Sequence, residues 1–197
     1  MVVVGGITRL TGSGLSMVSW QPISGVLPPF TLEQWQESFA SYQRSPEFIL
    51  KNFTMSLHQF KSIYWMEYAH RLLGRGIGIL FFFPMIYFII KRKVPAALLP
   101  KLITMFFLGG LQGLLGWYMV KSGLIDKPHV SQYRLAAHLG LAVIIYSYIF
   151  WTALGLLFAN CGEAKHAQIS RFKHYLTGAI GLVFITMLSG AFVAGLK

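Results

Sequence analysis

The chain has 197 residues, 55% of them hydrophobic and 12% charged, with a mean hydropathy of +0.58 and a formal charge of +11. That balance excludes an ordinary soluble domain and points to a polytopic membrane protein. A charge of this sign also suits nucleic-acid binding, but the basic residues cluster at the ends of apolar runs, so the excess reads as membrane topology and no nucleic-acid partner is expected.

The single cysteine, Cys161, excludes an intrachain disulfide and a Cys-rich metal site. No signal peptide with a charged n-region and no Arg/Ser-rich transit peptide is legible. The opening MVVVGG reads as the tail of a hydrophobic run, so the start is expected to be a truncation. Val2 to Gly6 lead into residues 7–17, which are rich in Gly, Ser and Thr and without periodicity and read as loop. After Pro28-Pro29, the Thr31-Leu-Glu-Gln34 sequence forms a capping box. Leu32, Trp35, Phe39 and Tyr42 then follow at helical spacing. They predict a short amphipathic helix with an aromatic face, lying on the membrane surface or over the mouth of a bundle. Ser45-Pro46 ends it, and a second capping box, Ser56 to Gln59, opens the next helix.

Four apolar runs are long enough to cross a bilayer: about 64–90, 98–120, 134–158 and 175–196. The fold class is therefore all-α: a polytopic membrane helical bundle with four transmembrane helices and a long N-terminal extramembrane loop that contains the amphipathic helix. Pro84 is expected to kink the first span. The short loops at 91–101 and 160–174 hold the densest positive charge, which places them inside and the N-terminal segment outside.

The first span opens with charge. Glu67, His70, Gly74 and Gly78 share one helix face, an acid and an imidazole followed by two residues with no side chain. Ionisable groups in a membrane helix are functional candidates, and a flat cofactor could lie along the glycines while His70 ligates its iron. The second span carries Gly109, Gly110, Gly113 and Gly116 around Gln112, a surface for close helix approach. His138, near the start of the third span, lies at the same inferred depth as His70, so the two imidazoles form a candidate axial pair for haem. Arg71 and Arg134 could meet the carboxylates of such a cofactor. Equally, Glu67 could be the local partner of Arg71 at i,i+4, and a membrane histidine can simply hydrogen-bond across helices. His58 and His129 in outer segments, and His166 and His174 in an inner one, read as solvated.

Five motifs occur in one order: GGITRLTGSGLSM at 5–17, SIYWMEYAHRLLGR at 62–75, QGLLGWYMVKSGL at 112–124, VSQYRLAAHLG at 130–140 and LSGAFVAGL at 188–196. By these the chain resembles haem A synthase, in its mitochondrial and alpha-proteobacterial branch; the cysteine pair of the other bacterial branch is absent. The resemblance implies two similar four-helix halves, each with a histidine pair, and maps the N-terminal pair onto His70 and His138, with Glu67 as the important carboxylate. The implied reaction oxidises a methyl group of haem O to the formyl group of haem A for cytochrome oxidase, in the mitochondrial inner membrane or, alternatively, a bacterial inner membrane. The site would take haem b or the substrate haem O, with Gly74 among the cofactor-binding residues. A ferredoxin-type electron donor, haem O synthase and further copies of the chain are the partners to test besides the lipid bilayer.

Against the family pattern the chain is expected to begin in the last residues of the first transmembrane helix and to lack the last three. Its parts are then an outer loop at 1–60, a haem-binding bundle of three helices at 61–159, an inner loop at 160–174 and the first helix of the C-terminal half at 175–197. Val4-Gly5-Gly6-Ile7 echoes Val193-Ala194-Gly195-Leu196, so the fourth span is expected to take the place of the first helix beside His70. The alternative function is a non-enzymatic, bis-His electron carrier resembling cytochrome b.

Overall fold

The computed structural model describes residues 1–20, 24–124, 130–158 and 167–196, and among them there is no strand. The described α-helices are α1 (Val2–Leu10), α2 (Leu32–Gln43), α3 (Pro46–Leu50), α4 (Leu57–Ile90), α5 (Leu99–Gly123), α6 (Gln132–Leu157) and α7 (Ala167–Gly195). Four stretches, Leu57–Ile90, Leu99–Gly123, Gln132–Leu157 and Phe172–Gly195, are long and apolar enough to cross a membrane. Leu80, Trp151 and Ile180 on these helices are 74%, 76% and 62% exposed, faces that only lipid can cover at low cost. The chain is a multi-pass membrane protein. His129, Cys161, Lys165 and His166 lie outside the described residues.

Local chemistry sets the helix starts. Thr31 and Gln34 form a reciprocal capping box on α2, and Ser56 and Gln59 do the same on α4. Ser45 caps α3, with Pro46 in the first turn where its missing N–H costs nothing. The long helix α4 runs unbroken through Pro84 for 34 residues. At about 1.5 Å per residue it exceeds the roughly 30 Å hydrocarbon core, so its first turns stand outside.

One expectation is overturned. Ile7–Leu10, read as loop, belong to helix α1 (Val2–Leu10). Two adjacent glycines weaken it by about 1 kcal/mol each, and packing against α4 more than compensates. Gly12, with φ +64°, then turns the chain back in the left-handed conformation that glycine adopts without strain.

The chain forms two compact units. The first comprises Met1–Pro95 and Gly113–Val130, the second Ala96–Gln112 and Ser131–Lys197. In the first, α1 and α2 both pack on α4. Trp35 and Tyr42 from α2 meet Phe60, Tyr64 and Tyr68 from α4 in a buried aromatic cluster. Tyr42 stacks on Phe60 at 5.1 Å, and Trp35 meets Tyr64 edge-on at 5.0 Å. The aromatic face of α2 is thus used on the head of α4, although Leu32 remains 62% exposed. In the second unit α7 packs on α6: Gly140 lies under Leu188, and Gly195 lies against the Gln132 backbone.

Candidate functional site

In the first unit the polar stripe of α4 is built from Glu67 outward. Glu67 is 3% exposed, and a carboxylate taken that far from water is stable only when paired. The Ser16 hydroxyl donates to its Oε2 at 2.7 Å and the Met17 backbone N–H donates to the same oxygen at 2.8 Å. Its other oxygen forms an ion pair with Arg71, the i,i+4 partner the spacing offers. Arg71 continues outward, donating to the carbonyls of Met17 at 3.0 Å and Ser19 at 3.3 Å, with its guanidinium 5.3 Å from the Trp20 ring centre. Glu67 and Arg71 therefore clasp residues 16–19 to the head of α4. A cavity of about 480 Å³ opens beside the clasp, lined by Ser16, Arg71, Tyr64, Gln34, Glu37 and Ser38 among others.

His70 is half-buried on the same stripe. A Cβ placed on Gly5 would stand 3.4 Å from its Cε1, and one on Gly74 would stand 3.5 Å from the Met1 methyl. So α1 runs antiparallel along the stripe, one turn of α1 against one turn of α4. The place beside His70 that the echo motif assigns to the fourth span is held by α1 itself, while α7 packs on α6. His58, at the head of α4, is exposed.

In the second unit His138 is half-buried on α6, with Arg134 one turn before it. The Gln112 side-chain amide donates to the His138 carbonyl at 3.1 Å and lies 3.4 Å from its Nε2. Gln112 Oε1 is buried and has no hydrogen-bond partner among the described residues, an acceptor open to a donor group. The role of Gln112 is not apparent from periodicity; the available signal is a lone amide in an apolar, glycine-rich helix. Ser16 and the Met17 N–H are likewise missed, because they sit in a stretch that reads as loop.

Among the described residues no three His, Cys, Asp or Glu side chains gather as a chelated ion would need. Haem asks for less, an imidazole ligand in an apolar surround. Each unit offers one half-buried imidazole on a helix long enough to cross a membrane, His70 against a glycine and His138 beside an unsatisfied amide oxygen.

The chain is similar to known proteins over its whole length. A family model described as cytochrome oxidase assembly protein matches residues 1–197. Heme A synthase of Nitrosospira multiformis is 53% identical over 100% of this chain and 55% of its own length. Heme A synthase of Parvibaculum lavamentivorans is 52% identical over 100% of this chain and 56% of its own. Heme A synthase COX15 of Bos taurus is 47% identical over 99% of this chain and 49% of its own. The chain thus spans about half the length of the curated relatives it matches. No solved structure matches it.

Proposed function

The chain belongs to the cytochrome oxidase assembly protein family, and on that premise we propose that it forms the haem-binding part of a haem A synthase, which oxidises a methyl group of haem O to the formyl group of haem A. The observation that carries this reading is the match of the whole chain to relatives of that name, with Glu67, His70 and His138 inside the matched length. His70 and His138 are the proposed iron ligands, for haem b or for haem O as substrate. When bound, haem supplies the iron-centred oxidation chemistry that side chains lack.

The chain's own residues bind and orient. Three of the five N–H groups of Arg71 are engaged by Glu67, Met17 and Ser19, leaving two for a cofactor carboxylate. Arg134 is the corresponding cation on α6. Gly74 keeps the turn beyond His70 free of a side chain. Glu67 is the carboxylate proposed to serve the oxidation. The proposed setting is the mitochondrial inner membrane, or alternatively a bacterial inner membrane, with a ferredoxin-type electron donor. Haem O synthase and a second copy of the chain are proposed neighbours.

Analysis of bound haem tests the reading. Membranes containing the chain, supplied with haem O and reductant, are extracted and their haems separated by chromatography. Haem A in the extract, lost in Glu67→Gln while haem is retained, is the expected result, and His70→Ala should disturb haem binding itself. Bound haem that is never oxidised would favour the cytochrome b-like electron carrier. A chain that takes up no haem would overturn both.

A further inference from the structure

The Glu67 clasp reaches beyond its immediate partners. Ser16 is 2% exposed and Ser13 fully buried, and the Ser16 hydroxyl also stands 2.9 Å from the Ser13 carbonyl. The Ser13 N–H donates to the Thr8 carbonyl at 3.0 Å, and its hydroxyl lies 2.6 Å from that of Thr11. The turn at 11–16 is therefore tied to the C-terminal end of α1 on one side and to Glu67 on the other. Leu15, 4% exposed, adds an apolar wedge against Gly123 of α5, where a Cβ would find Leu15 Cδ2 at 3.0 Å. At the other end of this tether Gly5 lies on the His70 imidazole.

We propose that Glu67 is a positioning residue: by clasping Ser16 and Met17 it holds α1, and with it Gly5, against the imidazole of His70. The clasp fixes the side of the ring that α1 covers and so the rotamer in which His70 presents its other face. The inference rests on the reading of His70 as a ligand only for its consequence, since the geometry stands without haem. It gives Ser16 and Gly5 roles in the same site. Gly5 presents backbone to the ring, at a place where a Cβ would just touch it, and the Ser16 hydroxyl is the second donor to Glu67 Oε2 beside the Met17 N–H.

The test reads His70 directly. The full chain, as purified in detergent, is treated with diethyl pyrocarbonate, and modification at His70 is measured by peptide mass spectrometry against exposed His58. Glu67→Gln and Ser16→Ala should each raise the His70 rate about tenfold, the population shift that loss of one hydrogen bond to a charged group permits. Ser16→Thr keeps the hydroxyl and should stay near the parent. Gly5→Ala should alter the His70 rate in the parent and have little effect once Glu67→Gln has released α1, a coupling that a general loss of stability would not produce. Unchanged His70 rates in Glu67→Gln and Ser16→Ala, or a Gly5→Ala effect that is the same in both backgrounds, would overturn the proposal. Measured on haem-free protein, neither result depends on haem, so failure here is distinguishable from failure to find haem or its oxidation product.

Discussion

The N-terminal segment contains a carboxyl whose titration should control its stability. Glu47, in α3, is 7% exposed. Burial pushes its carboxyl up from the ordinary 4.5 to about 7, against the hydrogen bond from Tyr42 and the charges of Lys51 and Arg9, with the Glu67 charge adding to the rise. The Tyr42 hydroxyl, itself pushed upward by burial, stands 3.3 Å from Glu47 Oε2 and accepts from Asn52 at 2.7 Å. Between pH 4.5 and about 7 the folded segment keeps a proton that the unfolded chain has released. Stability is therefore fully present below 4.5, falls as pH rises through that window and is fully lost above it. At about 1.4 kcal/mol per pH unit, the whole effect is about 3 kcal/mol. Glu47→Gln cannot ionise, and its amide oxygen still accepts from Tyr42. Hydrogen exchange across α2 and α3, corrected for intrinsic rates, should show protection falling from pH 5 to pH 8 in the parent and staying level in Glu47→Gln. Equal slopes in the two proteins would refute the assignment of the buried proton to Glu47.

Two further substitutions probe the second unit. Gly195→Ala would place a methyl 2.5 Å from Gln132 Cα, a backbone atom that cannot swing aside. α7 must then shift on α6, and the thermal midpoint in detergent should fall by an amount equivalent to about 1–3 kcal/mol; no change would mean that the helices meet elsewhere. Gln112→Leu removes a buried acceptor that lacks a partner together with the donor to the His138 carbonyl, so stability should change by less than about 1 kcal/mol. Modification of His138 by diethyl pyrocarbonate should rise in that variant, and a protected His138 would show that the amide does not shield it.

The parts of this fold legible in the sequence are those with short-range causes. The four apolar spans, the two capping boxes and the i,i+4 pairing of Glu67 with Arg71 all depend on residues within a few positions of each other. Periodicity also picks out Trp35, Phe39 and Tyr42, but not what they cover, because Phe60 and Tyr64 lie on another helix. The continuation of α1 through Leu10 is not legible because Gly5 and Gly6 lower its intrinsic propensity, while the packing on α4 that offsets them is not local. The Ser16–Glu67 bond joins residues 51 apart, and the Gln112–His138 bond joins residues 26 apart. No local pattern encodes such pairs, so a sequence can nominate Glu67 and His138 without naming what holds them.

The echo between the two ends of the chain has a physical counterpart within each unit. Val4-Gly5-Gly6-Ile7 lies in α1, and Val193-Ala194-Gly195-Leu196 closes α7. In the first unit Gly5 allows α1 to approach α4 at His70. In the second, Gly195 allows α7 to approach α6 at Gln132, six positions before His138. Both contacts use a missing side chain on one helix to approach a helix that carries a candidate ligand. A small residue lowers the separation of the helix axes, and at Gly5 it also leaves the His70 imidazole facing backbone instead of a flexible side chain. A larger residue at Gly195 must separate the helices, whereas a methyl at Gly5 would come into ordinary contact with the His70 ring. The repeated motif is thus better understood as a repeated packing requirement beside a histidine-bearing helix than as a ligand-binding signature in its own right.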